Sequence, residues 1–108
     1  MYYSDYHVHS YLTRTSCANG HIHYLSGLTG PTIPWGGSHV HYYDGVTTFD
    51  NGHVHCYRGC TGPSIPCPGG GHIHCMDGCT TVADYHSHFY ATLTGNEETS
   101  MLFKNKAI

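Results

Sequence analysis

Charge is scarce in this 108-residue chain. Charged residues make up 10%, against roughly 25% in an average soluble protein. Four Lys and Arg face seven Asp and Glu, giving a formal charge of −3 at pH 7. So few cations make no basic stripe to neutralise phosphates, and nucleic acid is not an expected partner. Long apolar runs are missing too, which excludes a spanning helix of roughly 18 residues. Leu, Ile, Val and Phe together number 18, about 17% against the roughly 20% that an ordinary core requires. A thick hydrophobic core is therefore not expected. Disorder fits no better, because net charge is low and there are ten Tyr, three Phe and one Trp. Met1–Tyr6 carries neither a basic n-region nor an apolar h-region, so no secretory signal is read there. Six Cys, however, suit an oxidising exterior or metal ligation. The expected location is extracellular or on the cell or spore surface, reached by export without a classical signal or by release from a lysed mother cell. The cytoplasm is the alternative.

Histidine and glycine are abundant instead. Gly contributes 14 residues, which makes turns frequent, and His contributes 12. Every histidine falls in one of six His-x-His units: His7/His9, His21/His23, His39/His41, His53/His55, His72/His74 and His86/His88. The steps between units alternate between 14 and 18 or 19 residues. This defines three tandem repeats of 32–33 residues, near 7–38, 39–71 and 72–95. Thr15, Thr47 and Thr80 coincide on alignment, as do Cys17, Phe49 and Val82. Asn19-Gly20 and Asn51-Gly52 are turn dipeptides just ahead of a histidine pair. Thr-Gly-Pro-(Thr/Ser)-Ile-Pro recurs after His23 and His55 and predicts a turn followed by extended backbone.

No stretch of residues 7–94 sustains a 3.6-residue apolar period; short strands bounded by turns fit the pattern. Five of the six residues between paired histidines are Val or Ile, which is strand chemistry. The predicted fold is all-β: three repeats of short strands and hairpins over residues 7–95, flanked by extended arms at 1–6 and 96–108. Strand alternation puts both imidazoles of a unit on one face and the aliphatic on the other. Those aliphatics, with Leu28, Ile33, Phe49, Ile65, Val82 and Leu93, are the expected thin core, with Tyr rings on its flanks.

Two imidazoles about 6.6 Å apart along a strand can converge on one ion at roughly 2.0–2.1 Å per bond. Two units on neighbouring strands then supply four nitrogens, so six units predict three four-His sites, or half-sites completed by another chain. Neutral imidazole suits Cu and Zn, then Ni and Fe. Two plainer readings stand beside this one: surface pairs bonded to backbone, and a metal-free His/Tyr hydrogen-bonded ladder. Cys56/Cys60 and Cys75/Cys79 follow a His-x-His at the same offset. The expected cross-links are Cys56–Cys75 and Cys60–Cys79, with Cys17 and Cys67 paired together or with another chain; thiolate ligation is the rival. No haem-attachment motif is present.

The run of His-x-His units separated by TGPTIP and TGPSIP, with GVTTFDNGHVH at 45–55, GCTTVADYHSH at 78–88 and FYATLTG at 89–95, resembles the YmaF family of bacterial proteins. The resemblance covers about residues 7–95. It implies a His-rich repeat protein and carries no established reaction.

The leading functional expectation is a structural protein that holds transition metals and self-assembles, as a homo-oligomer or helical filament, into an extracellular or surface layer. A soluble metal buffer or carrier is the alternative. A His-ligated metalloenzyme is disfavoured, because the only acids between His7 and His88 are Asp44, Asp50, Asp77 and Asp84, mostly in turns. Electron conduction along metal or aromatic arrays has no sequence signature to support it.

Overall fold

A computed structural model describes residues 7–98. Among them there are strands and turns and no helix, as the all-β reading requires. The N-terminal arm at 1–6 and the tail beyond Glu98 lie outside the described residues. Three antiparallel hairpins form the frame. β1 (Val8–Arg14) pairs with β2 (Tyr24–Leu28), β4 (Ser38–Val46) with β5 (Cys56–Cys60), and β8 (Cys75–Cys79) with β9 (Phe89–Leu93).

Each hairpin turns on a two-residue loop with both residues at positive φ: Asn19-Gly20 (52° and 82°), Asn51-Gly52 (56° and 84°) and Asp84-Tyr85 (52° and 66°). This is the backbone of a type I′ turn, for which Asn-Gly is the favoured sequence. The bridges Ala18–His21, Asp50–His53 and Ala83–His86 flank the three turns.

The connections between hairpins are extended, as the proline segments predict. β3 (Thr32–Trp35) lies along the start of β4, with Ile33 opposite Val40. β6 (Ile65–Pro66) pairs with β7 (His72–Ile73), with Ile65 opposite Ile73. β10 (Glu97–Glu98) returns to β1, with Glu98 opposite Val8. The third connection thus adds to the chain's own first strand, and the three hairpins close into a ring. Backbone bonds seal each seam at both ends. Gly30 N–H donates to Tyr42 O, Gly62 to Cys75 O and Gly95 to Ser10 O at one end, at 2.7–3.0 Å. Thr48 donates to Tyr24 O, Thr81 to Cys56 O and Ser16 to Phe89 O at the other, at 2.8–3.0 Å.

The six arms are copies of one pattern. Six residues after the second histidine of each unit stands a buried threonine: Thr15, Thr29, Thr47, Thr61, Thr80 and Thr94. Each threonine N–H donates to the carbonyl of the second histidine on the opposite arm. Each Oγ1 accepts that same histidine's N–H, as in His9 to Thr29 and His23 to Thr15. Removing one hydroxyl leaves a buried N–H without its partner, a loss of about 1–3 kcal/mol.

The core differs from the expected one. Two residues after each second histidine stand Tyr11, Leu25, Tyr43, Tyr57, Met76 and Tyr90, and these are the buried cluster. The aliphatics expected inside are outside: Leu28, Ile33, Ile65 and Leu93 are exposed, and Phe49 and Val82 are more than 70% exposed. Val8 and Val40 alone among the between-histidine residues are fully buried. The reason is the strand period itself. Positions i and i+2 share a face, so the histidine face continues into the Tyr, Leu and Met positions, and that face points inward.

Tyr11 meets Tyr57 and Tyr43 meets Tyr90 hydroxyl to hydroxyl, each at 2.8 Å, so the polar tips are satisfied within the core. Each of these tyrosines faces a glycine across its hairpin: Gly27, Gly59, Gly45 and Gly78 respectively for Tyr11, Tyr43, Tyr57 and Tyr90. Where the core residue is Leu25 or Met76, the facing residue is Thr13 or Thr92 instead. A Cβ at Gly59 would sit 2.7 Å from the Tyr43 hydroxyl and 3.0 Å from its ring.

All six cysteines are free thiols, five of them exposed and Cys67 half-buried. The expected Cys56–Cys75 and Cys60–Cys79 cross-links are not formed. Cys56 and Cys75 occupy the same place in two successive arms, and their backbones pair with different neighbours, Thr81 and Gly62. A matched offset in sequence therefore marks equivalence, not contact.

The facing pairs predict that Gly59→Thr lowers stability by about 1–3 kcal/mol through overpacking. Adding Tyr43→Leu should recover part of it, recreating the Thr13/Leu25 pair. Urea unfolding of both singles and the double checks this; strictly additive losses would contradict it.

Candidate metal centres

The ring gathers the twelve histidines into two groups, one at each end of the six-residue core. The upper group is His7, His9, His39, His41, His72 and His74. The lower group is His21, His23, His53, His55, His86 and His88. Within each group one ligand nitrogen per residue lies within 4.8 Å of all the others. All twelve predicted ligands are thus brought together, but as two sets of six, not three sets of four. Each hairpin contributes the unit at the start of its first arm to the upper set and the unit after its turn to the lower. The four-His expectation counted two strands per site, whereas a three-hairpin ring brings three to each end. No cysteine joins either set among the described residues.

The strands place the rings and backbone carbonyls orient them. Nδ1 of His9, His41 and His74 lies 2.8–2.9 Å from the carbonyls of Gly95, Gly30 and Gly62. Nδ1 of His23, His55 and His88 lies 2.8–3.0 Å from those of Thr48, Thr81 and Ser16. In every case the carbonyl belongs to the neighbouring hairpin, one residue past its buried threonine. The outer histidines of the lower set reach the carbonyls of their own turns, at Asn19, Asn51 and Asp84. His72 Nδ1 lies 2.8 Å from Glu97 Oε1. A carbonyl or carboxylate oxygen only accepts, so each of these Nδ1 atoms carries the hydrogen, and each neutral ring has its lone pair on Nε2.

Those lone pairs face one another. Nε2 to Nε2 distances are 3.0 Å for His86–His88, 3.1 Å for His53–His55 and His21–His86, and 3.2 Å for His23–His53. The upper set gives 3.0 Å for His7–His72 and 3.1 Å for His39–His72. Where both rings of a pair commit their hydrogens at Nδ1, as His53 with His55 and His86 with His88 do, the contact is not a hydrogen bond. His9, His41 and His74 have buried Nε2 atoms with no hydrogen-bond partner among the described residues. An unpaired buried acceptor is costly, and six converging acceptors more so. A cation at the centre satisfies all of them, and carbonyl-fixed imidazoles are the outer-shell arrangement that metal-ligating histidines have. The residues present therefore fit a transition-metal ion.

Protonation is opposed by the same geometry. Burial, with neighbouring His41, His72 and His39 adding to it, pulls His7 down to about 4. Burial does the same to His9 and His41, both to about 4, against the opposing pull of their carbonyl partners. His23, His55, His74 and His88 are lowered for the same reason. The two ends differ in cover by one residue: His39 and His72 are partly open in the upper set, and His21, His53 and His86 on the turns are partly open in the lower.

Alignment of the three repeats shows three of the six buried threonines, Thr15, Thr47 and Thr80. The signal for the rest was the sixfold pattern His-x-His-x-Φ-x-x-x-Thr, with Φ a large apolar residue, read arm by arm and not repeat by repeat. A family model described as spore germination protein GerY/YamF matches residues 4–95. The chain belongs to the YmaF family. The match spans all twelve YmaF histidines of this chain and all six buried threonines. No curated protein and no solved structure matches the chain.

The two sets predict that His53→Ala with His55→Ala removes one ion of two per chain, leaving the upper set loaded, as measured by elemental analysis. The pH dependence has a definite sign. Histidines near 4 in the fold and near 6.5 when unfolded bind more protons in the unfolded chain. Their stabilisation is complete above pH 6.5 and is lost as pH falls toward 4, with metal release acting in the same direction. Urea midpoints measured between pH 7.5 and 4.5 should decline steadily below 6.5; a flat profile would contradict this.

Proposed function

We propose that this chain is a non-catalytic structural protein whose fold is held by two transition-metal ions, and that it assembles with copies of itself into a spore-surface or cell-surface layer or filament. The observation that carries the metal half is the convergence of six imidazoles at each end of a thin core, the second histidine of every unit being fixed by a carbonyl of the neighbouring hairpin. Where so little apolar surface is buried, ligation contributes directly to folding stability. The family's description as a spore germination protein supports a spore setting.

The surface supports assembly. Trp35, Phe89 and Leu12 are 58%, 63% and 71% exposed, and Tyr85 is 98% exposed on its turn. Exposed apolar area on this scale in a chain this poor in charge is suited to contact with further copies. The absence of catalysis rests on the donor sets: every ligand is a neutral imidazole, and the nearest carboxylates, Glu97, Asp50 and Asp84, lie against Nδ1 atoms on the far side of the rings, at 2.8, 3.4 and 3.6 Å. None is placed to act on a molecule at the ion. The partly open lower set favours a second reading, a metal carrier that releases ions from that end.

Elemental analysis and electron microscopy of the same native material test the proposal. The expected result is two d-block ions per chain, ordered layers or fibres, and a fall in melting temperature of roughly 20 °C or more on chelation. A metal-free chain with unchanged melting would overturn the metal role, and monomers alone at high concentration would overturn assembly. Rapid, reversible loss of one ion without unfolding would favour the carrier.

A further inference from the structure

Six donors held in fixed directions choose their ion by coordination number as well as by donor type. The ring contacts in each set run at centroid distances of 4.5–5.1 Å along the edges of an octahedron. In the upper set His7 stands opposite His74, His9 opposite His39, and His41 opposite His72. In the lower set the opposed pairs are His21 and His55, His23 and His86, and His53 and His88. Every His-x-His spans one edge. The three first histidines make one triangular face and the three second histidines make the face opposite.

The spacing agrees with that shape. Adjacent ligands of an octahedron are separated by √2 times the bond length, so Nε2 spacings of 3.0–3.2 Å correspond to bonds of about 2.1–2.3 Å. A tetrahedral ion with bonds of about 2.0–2.1 Å holds its nitrogens roughly 3.3–3.4 Å apart and leaves two of the six imidazoles unbound. A tetragonal ion binds four strongly and two at longer range. Three of the six rings in each set resist such adjustment, because the second histidine of every unit is pinned at Nδ1 by a backbone oxygen of the adjacent hairpin. Turning one ring away breaks that bond and leaves a buried lone pair facing the remaining donors.

We propose that each cage is a saturated octahedral six-nitrogen site that favours divalent first-row ions at ease with six donors, namely Mn2+, Fe2+, Co2+ and Ni2+, over Zn2+ and Cu2+. This rests on the metal-binding reading above and replaces the expectation of Cu or Zn. Six neutral donors leave the ion its full +2 charge in a buried site, which disfavours the trivalent state. No vertex is left for water, dioxygen or substrate, so the ion exchanges no ligand while the ring stays closed.

Cobalt is the probe. The full-length chain, stripped of metal and refolded without oxygen in Co2+, should bind two ions. It should show the weak absorption of six-coordinate cobalt and an X-ray absorption shell of six nitrogens at about 2.1–2.2 Å. Equimolar Zn2+ should displace less than half of the Co2+. The His21→Ala variant should open one vertex at one of the two sites and alter only that half of the signal. Intense blue four-coordinate cobalt, or near-complete displacement by equimolar Zn2+, would overturn the octahedral selection while leaving metal binding intact. Failure of Co2+, Ni2+ and Zn2+ alike to bind would overturn both.

Discussion

When the Nδ1 hydrogen of an imidazole is committed to a carbonyl oxygen, its lone pair is left at Nε2, and where that atom points becomes a matter of backbone geometry. In this chain three such lone pairs at each end, those of the second histidines, join three further imidazoles around one centre. Among the described residues the Nε2 atoms of His9, His41 and His74 have no hydrogen-bond partner, and His53 with His55 and His86 with His88 set acceptor against acceptor at 3.0–3.1 Å. Positive charge between them would relieve that arrangement. On the proposed reading, an ion at each centre would take the place that aliphatic packing has in ordinary domains.

Between the cages the packing is thin and closely matched. Four tyrosines bury their rings and pair their hydroxyls, and each meets a glycine because a side chain there would strike the ring. The two arms that carry Leu25 and Met76 keep a threonine opposite. The buried threonines tie each hairpin to its own second histidines, and the residues just after them orient the histidines of the next hairpin. Packing, hairpin closure and ligand orientation thus use one strand face and one register. A register slip of one residue would turn the histidines, the core residues and the threonines outward together.

Much of this was legible in the residues. The His-x-His units, their spacing, the Asn-Gly turns and the proline segments point to short strands and hairpins with histidines as ligands, and the family resemblance follows from the same motifs. What the residues did not disclose is how many strands meet at one point. Spacing along a strand shows which two imidazoles act together, but not that a third unit arrives from a hairpin more than 30 residues away, as His72 does beside His7. The core was misplaced for a related reason. Val and Ile between the histidines look like interior residues by hydrophobicity, yet alternation carries the histidine face through Tyr11 and Tyr43, and that face is the interior. The cysteines misled because equal offsets in successive arms are a sign of repetition.

The arithmetic of the cage also fixes the length of the array. Open solenoids gain or lose modules freely because each module touches only its neighbours. Here every module delivers two donors to a polyhedron with six corners, and the last module returns to the first. A fourth module would have no corner to fill, and a shortened chain would leave two corners bare. Duplication or deletion of one module would therefore change the donor count at both ends of the molecule at once.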